Sequence, residues 1–147
     1  MITLHTLSRA DFDDWNPLWQ AYLVFYKSVL PDEVTANAFA AMTNGDASTG
    51  GFLARDADGQ PVGMVNWIDH RTNWSLGNKC YLQDLYVSEA GRGLGTGRAL
   101  IEAVGKAAKE RGCASVYWQT HETNQAAMLL YDRVATKSGF LVYDMNI

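Results

Sequence analysis

At 147 residues, with 48% hydrophobic and 12% aromatic content, the chain has the size of one domain and enough apolar matter for one packed core, which argues against two. A net charge of −4 without a lysine or arginine cluster excludes the electrostatic footprint of a nucleic-acid binder, although mild acidity suits a cationic substrate. No run approaches the roughly 18 apolar residues of a membrane helix, the start MITLHTLSRADFDDW lacks a secretory pattern, and Cys80 and Cys113 stand in no metal-ligand or disulfide spacing.

These exclusions set the expectation of a soluble, cytoplasmic single domain over residues 1–147 with no metal, no membrane and no nucleic-acid partner. Along the chain, residues Ile2–Leu7 alternate as a first strand. Asn16-Pro17 resembles an N-cap followed by proline at the first helical position, and Leu18, Trp19, Tyr22, Phe25, Tyr26 and Val29 continue at helical spacing to about Ser28. Pro31 opens a second helix to about Thr43. Gly51–Arg55 and Val62–Ile68 flank the turn Asp56-Ala57-Asp58-Gly59 as a hairpin. A polar loop, Asp69–Asn78, precedes the β-rich run Lys79–Val87, which reads as a central strand. A helix starts directly on the glycines at 91–97 and ends at Gly112, its stripe being Leu100, Ala103, Val104 and Ala107. A short strand Ala114–Gln119, a helix Ala126–Lys137 and a closing strand Phe140–Met145 complete the chain. Alternation of strand and helix in this second half predicts partly parallel pairing.

The chemistry begins at Arg92-Gly93-Leu94-Gly95-Thr96-Gly97. Joining a strand to a helix, this loop can turn its backbone N–H groups onto an anion at the positive end of the helix dipole. Glycines allow the tight turn and the close approach, and Arg92 and Arg98 add charge-assisted hydrogen bonds. A pyrophosphate is the natural occupant; the plainer reading is a glycine-rich turn that binds nothing. A dinucleotide fingerprint begun at Gly93 would need glycine where Arg98 stands, and no GK[ST] follows for a triphosphate loop.

RGLGTG, preceded by YLQDLYV and followed by WQTHETNQAAMLLYDRVATKSGF, resembles the R/Q-x-x-G-x-G/A pyrophosphate loop and its flanks in the GNAT superfamily of N-acetyltransferases. HRTNWSLGNKCYLQDLYV and LLYDRV look most similar to its histone/polyamine and diamine acetyltransferase branch. The resemblance implies an α/β fold with a central mixed, mostly antiparallel sheet of six to seven strands, a splayed parallel pair and about four helices. It implies acetyl-coenzyme A as donor and transfer to a primary amine of a polyamine, an amino acid or a lysine side chain. Many relatives are homodimers, which implies one here.

Carried over residue by residue, the resemblance implies that the splayed strand offers backbone groups of Leu85, Tyr86 and Val87 to the pantetheine arm. It implies further that Arg92, Gly93, Leu94, Gly95, Thr96, Gly97 and Arg98 hold the pyrophosphate, and that Asn124 and Ala127 meet the pantetheine arm. The resemblance makes Tyr131, on the same helical face as Asn124 and Ala127, the general acid, and a phenol with a pKa of about 10 has a proton to give at neutral pH. As part of an apolar stripe it would otherwise be read as core. Diamine-type relatives have Leu-Glu-Asp where this chain has Leu82-Gln83-Asp84, and glutamine cannot accept a proton. Strand alternation puts Asp84 on the opposite face from Gln83 unless the strand is distorted. The base is thus an ordered water or Asp84, with Gln83 orienting substrate. His70, Trp74, Tyr22 and Tyr26 are candidates for an aromatic amine pocket, each also explicable by packing. His121 reads as a linker residue. A noncatalytic acyl-coenzyme A sensor and an interaction module with an idle glycine turn are the alternatives.

Overall fold

Asp56 and Gly59 make the first hairpin. The Asp56 carboxylate accepts the backbone N–H groups of Asp58 and Gln60, both at 2.9 Å. The computed structural model describes residues 1–147. In it, β2 (Thr49–Arg55) and β3 (Pro61–His70) run antiparallel on either side of that turn. β1 (Thr3–Thr6) joins β2 and β4 (Lys79–Val87) joins β3, both antiparallel, while β5 (Ser115–Tyr117) lies parallel to β4. The sheet is therefore mixed, in the order β1-β2-β3-β4-β5.

Each face of the sheet buries its own cluster. On one side α1 (Phe12–Phe25) and α2 (Asp32–Thr43) bring Trp15, Leu18, Trp19, Leu23 and Phe39 onto Leu53 and Met64. On the other, α3 (Thr96–Glu110) sets Leu100, Ile101, Val104 and Ala108 against Val62, Val65, Trp67, Cys80 and Leu82. α4 (Gln125–Val134) lies along this second cluster through Leu130, Tyr131 and Val134, yet buries none of its residues. At the C-terminal end of α3, Arg111 forks onto Asp69 at 2.7 and 2.9 Å and stacks on Trp67 at 3.6 Å, tying helix to strand. Burial pushes the neighbouring Cys80 thiol up to about 12, so it is inert at neutral pH.

Trp15 is the keystone of the first face: it is fully buried, stacks on Trp19 at 5.3 Å and donates its indole N–H to Asn66 Oδ1 at 3.1 Å. Trp15→Ala should lower stability by about 3–5 kcal/mol in urea unfolding, because a large cavity opens. A loss below about 1 kcal/mol would mean that the site collapses freely around the missing ring.

Several elements depart from the sequence-based expectation. The sheet has five strands, not six to seven, because Phe140–Met145 forms no strand and residues 135–147 are exposed. α1 begins at Phe12, with Pro17 inside it, because Phe12 and Trp15 both have core to fill and only the carbonyl of Asp13 loses its amide partner. It ends at Phe25, since Lys27 takes a left-handed φ of 54° and Ser28 donates back to the Leu23 carbonyl. β3 runs on to His70, inside the expected loop. β5 is only Ser115–Tyr117, and α4 stops at Val134, beyond which nothing is buried.

Candidate active site

β4 and β5 part company after one short stretch. Their parallel pairing covers Lys79↔Ser115, Cys80↔Val116 and Tyr81↔Tyr117 and then stops, leaving the rest of β4 without a partner on that side. At the same point β4 carries a bulge: Trp67 faces Leu82, Asn66 faces Asp84, and Gln83 is the extra residue. The bulge resets the alternation, so that Leu82 and Leu85 both face the α3 cluster while Asp84 and Tyr86 face α1. The distortion needed to reorient Asp84 is thus present in the strand.

Into the mouth of this wedge project Tyr22 and Tyr26 from α1, Leu82, Gln83 and Leu85 from β4, Trp118 and Gln119 beyond β5, and Tyr131 from α4. An aromatic ladder leads to it, Trp15 on Trp19 at 5.3 Å, Trp19 on Tyr22 at 5.6 Å and Tyr22 against Tyr26 at 5.0 Å. Tyr131 packs edge-on against Trp118 at 5.5 Å, and no group of the chain takes its hydroxyl. Burial holds its phenol above the ordinary value, so it keeps its proton at physiological pH. Behind the Tyr22 ring lies Asp84, only 8% exposed, accepting from Asn66 Nδ2 at 3.1 Å. Burial raises its carboxyl above the usual range, and hydrogen bonds from Asn66 and the Tyr22 hydroxyl work in the opposite direction. Burial together with the Asp84 charge likewise pushes the Tyr22 phenol up. Asn66 links the site to the core, since its other end accepts from Trp15.

The glycine loop sits at the far end of β4. Thr96, 1% exposed, donates its hydroxyl to the Gly91 carbonyl at 2.7 Å and staples the loop shut. From Gly93 to Arg98 every backbone N–H lacks a partner within the chain, and the first such bond of the helix, Ala99 to Gly95, comes after them. Gly93 and Gly95 take φ of 75° and 74°, and a Cβ on either would meet nothing within 4 Å, so the open side is theirs. An open row of donors at a helix N-terminus fits the pyrophosphate of coenzyme A. Arg92 is exposed and unpaired, whereas Arg98 is held by Glu102 at 2.8 Å. Asn124 precedes α4 without capping it, leaving its amide free, and with Ala127 and Tyr131 it is half-buried on the inward face. Gly95→Ala should weaken coenzyme A binding about tenfold, because alanine lets the free loop relax from its left-handed φ of 74° and binding must restore it at roughly 1–2 kcal/mol. Unaltered affinity by calorimetry would place the pyrophosphate elsewhere.

Of the residues singled out in the sequence, Tyr22, Tyr26, Gln83, Leu85 and Tyr131 meet at one mouth, with Asp84 directly behind. His70 does not line it: Nε2 lies 2.7 Å from the Tyr117 hydroxyl. Trp74 is 93% exposed on its loop and also lies apart. Tyr86 turns toward the α1 cluster and Val87 toward the α3 cluster. Trp118 and Gln119 open the segment that follows the loop in the family resemblance but have no role assigned by it, and they join the site, like Asn66, through the topology that parts β5 from β4.

A family profile for the acetyltransferase (GNAT) family matches residues 8–135. Among characterised proteins, the chain is 38% identical to the D-amino-acid N-acetyltransferase of Saccharomyces cerevisiae over 146 residues, covering 99% of this chain and 91% of that one. It is 29% identical over 101 residues to the thialysine N-epsilon-acetyltransferase of Caenorhabditis elegans, covering 65% of this chain and 62% of that one. Among solved structures, an aminoglycoside acetyltransferase bound to a coenzyme A bisubstrate analogue superposes with a TM-score of 0.86 at 16% identity, over 100% of this chain and 99% of the other. A ribosomal-protein-alanine N-acetyltransferase from Brucella melitensis gives a TM-score of 0.82 at 21% identity over 100% of both chains.

Proposed function

From the premise that the chain belongs to the acetyltransferase (GNAT) family and is an N-acetyltransferase using acetyl-coenzyme A, we propose that its acceptor is the primary amine of a free amino acid. D-amino acids come first among these, since the yeast relative matched over nearly the whole chain carries that name. A polyamine or a lysine side chain would use the same site chemistry. The observation that carries the reading is the wedge between β4 and β5, where Gln83, Tyr131 and the aromatic ladder converge.

Bound at the glycine loop, acetyl-coenzyme A supplies an activated acetyl thioester. The unpaired stretch of β4 over Leu85, Tyr86 and Val87 offers backbone groups to the pantetheine arm, and Asn124 its amide. Tyr22, Tyr26 and Trp118 receive the acceptor ammonium on aromatic faces. No cationic side chain lines the mouth, so an acceptor carboxylate faces outward. Gln83 orients the amine, and a water relay passes its proton to Asp84, leaving nitrogen neutral for direct attack in a ternary complex. Tyr131 would donate its proton to the departing sulfur and regain one, through water, from the nitrogen as it sheds its second proton on forming the amide. Nothing here requires a covalent acyl-enzyme.

We also place the protein in the cytoplasm, as the free thiols of Cys80 and Cys113 support, and as a homodimer. No helix is long and apolar enough to cross a membrane. Release of free thiol from acetyl-coenzyme A over D- and L-amino acids, polyamines and a lysine peptide tests the reading. Turnover best on amino acids supports it. Faster turnover on a polyamine or the peptide replaces the acceptor, and tight cofactor binding without turnover on any amine makes the protein a sensor.

A further inference from the structure

We infer that Lys79, held over the ring of Tyr117, takes the carboxylate of the acceptor and so selects α-amino acids over polyamines and lysine side chains. The inference rests on the amino-acid reading above and names the group that recognises the acceptor's second charge.

His70, Lys79, Tyr81 and Tyr117 gather on one face of the sheet beside the mouth. β3 and β4 pair His70 with Lys79, and β4 and β5 pair Tyr81 with Tyr117. Strand partners share a face, and successive residues alternate. Cys80 and its partner Val116 belong to the α3 cluster, so Lys79, Tyr81 and Tyr117 point to the opposite face, which α1 covers further along. α1 ends at Phe25 and leaves this part of the face open, with Ile68 41% exposed. The strip runs on to the acceptor site: burial raises the Tyr81 phenol, and Asp84, Tyr117 and Tyr26 lie close enough to add to it.

Hydrogen bonds fix the platform. His70 Nδ1 lies 2.8 Å from the Arg71 carbonyl, which can only accept, so the proton sits on Nδ1 and Nε2 accepts from the Tyr117 hydroxyl at 2.7 Å. Tyr117 also stacks on Tyr81 at 4.9 Å with the planes 15° apart, so its ring is held at the oxygen and at the face. Lys79 Nζ stands 4.8 Å from the centre of that ring and joins no carboxylate. Lys27, the other cation next to a residue of the mouth, is exposed on a left-handed turn with nothing of this kind to hold it.

The spacing suits one acceptor class. Because Tyr117 is the strand partner of Tyr81, the ammonium stands at the level of Tyr81, two residues along β4 from Gln83, or about 7 Å. An α-amino acid carries its carboxylate oxygens about 3 Å from its nitrogen, and a charge-assisted hydrogen bond of about 3 Å completes the span. The side-chain amine of lysine is separated from the α-carbon by a chain of methylenes and overshoots. A polyamine would bring a second ammonium toward Lys79 and be repelled.

The test compares kcat/KM for the best-accepted free amino acid with that for its own carboxamide, which lacks only the charge. Lys79→Met should move the acid-to-amide ratio about tenfold toward the amide, and Lys79→Glu about a hundredfold. Lys27→Met should leave it in place. Taking the ratio in parent and variant cancels the different basicity of the two amines, and a misfolded fraction lowers both rates alike. A ratio that stays put in both Lys79 variants, or that moves with Lys27 instead, overturns the assignment while the amino-acid reading stands. A parent enzyme that acetylates no free amino acid overturns both.

Discussion

Tyr131→Phe should lower kcat by about 10²–10⁴-fold, the usual worth of a general acid, while coenzyme A affinity is retained. The substitution removes a hydroxyl that no group of the chain holds, and the ring keeps its edge-on contact with Trp118. Folding therefore loses little, and any large loss of rate belongs to the proton. Burial raises this phenol above its ordinary value of about 10, so the acid carries its proton at neutral pH. A falling limb of the pH profile below pH 10 therefore does not arise from Tyr131. Single-turnover thiol release at saturating cofactor isolates the step. A variant that turns over at the parent rate makes Tyr131 a packing partner of Trp118 and sends the search for the acid to Tyr22 or Tyr26.

What the sequence disclosed and what it hid follow from the range of the forces involved. The glycine loop was legible because its requirement is local: Gly93 and Gly95 must take positive φ and leave backbone donors bare, and only glycine does this cheaply. The stripe of α3 was legible for the same kind of reason, one helix against one sheet face. Lys27 was not, because its left-handed turn depends on where Leu23 has already been buried. The bulge at Gln83 was equally hidden, since Leu-Gln-Asp reads as plain alternation until Asn66 on the neighbouring strand claims Asp84. His70 and Trp74 stand before β4, where the family resemblance implies substrate contacts, but the direction of a side chain there is a tertiary property that the sequence does not carry. The closing strand has the right composition and still pairs with nothing within its own chain, because composition specifies a strand without specifying which edge receives it.

Asp84→Asn separates the catalytic demand on this carboxylate from its structural one. As the end of the proposed proton relay, it should cost about 10²–10⁴-fold in kcat/KM when replaced by a group that cannot take a proton. Its folded pKa is raised, with burial the largest cause. A carboxyl raised on folding binds its proton more tightly in the native state, so its contribution favours the fold at low pH. That contribution is lost as pH climbs from the ordinary carboxylate value through the raised native one. At neutral pH the buried charge is therefore a cost that asparagine removes, while its amide oxygen can still accept from Asn66. The variant should be nearly inactive yet no less stable to urea at pH 7, and its residual activity should lose the acidic limb that titrates above the usual carboxylate range. Loss of activity together with a clear drop in stability would instead make Asp84 a strut between Asn66 and Tyr22, and full activity would leave the proton to water alone.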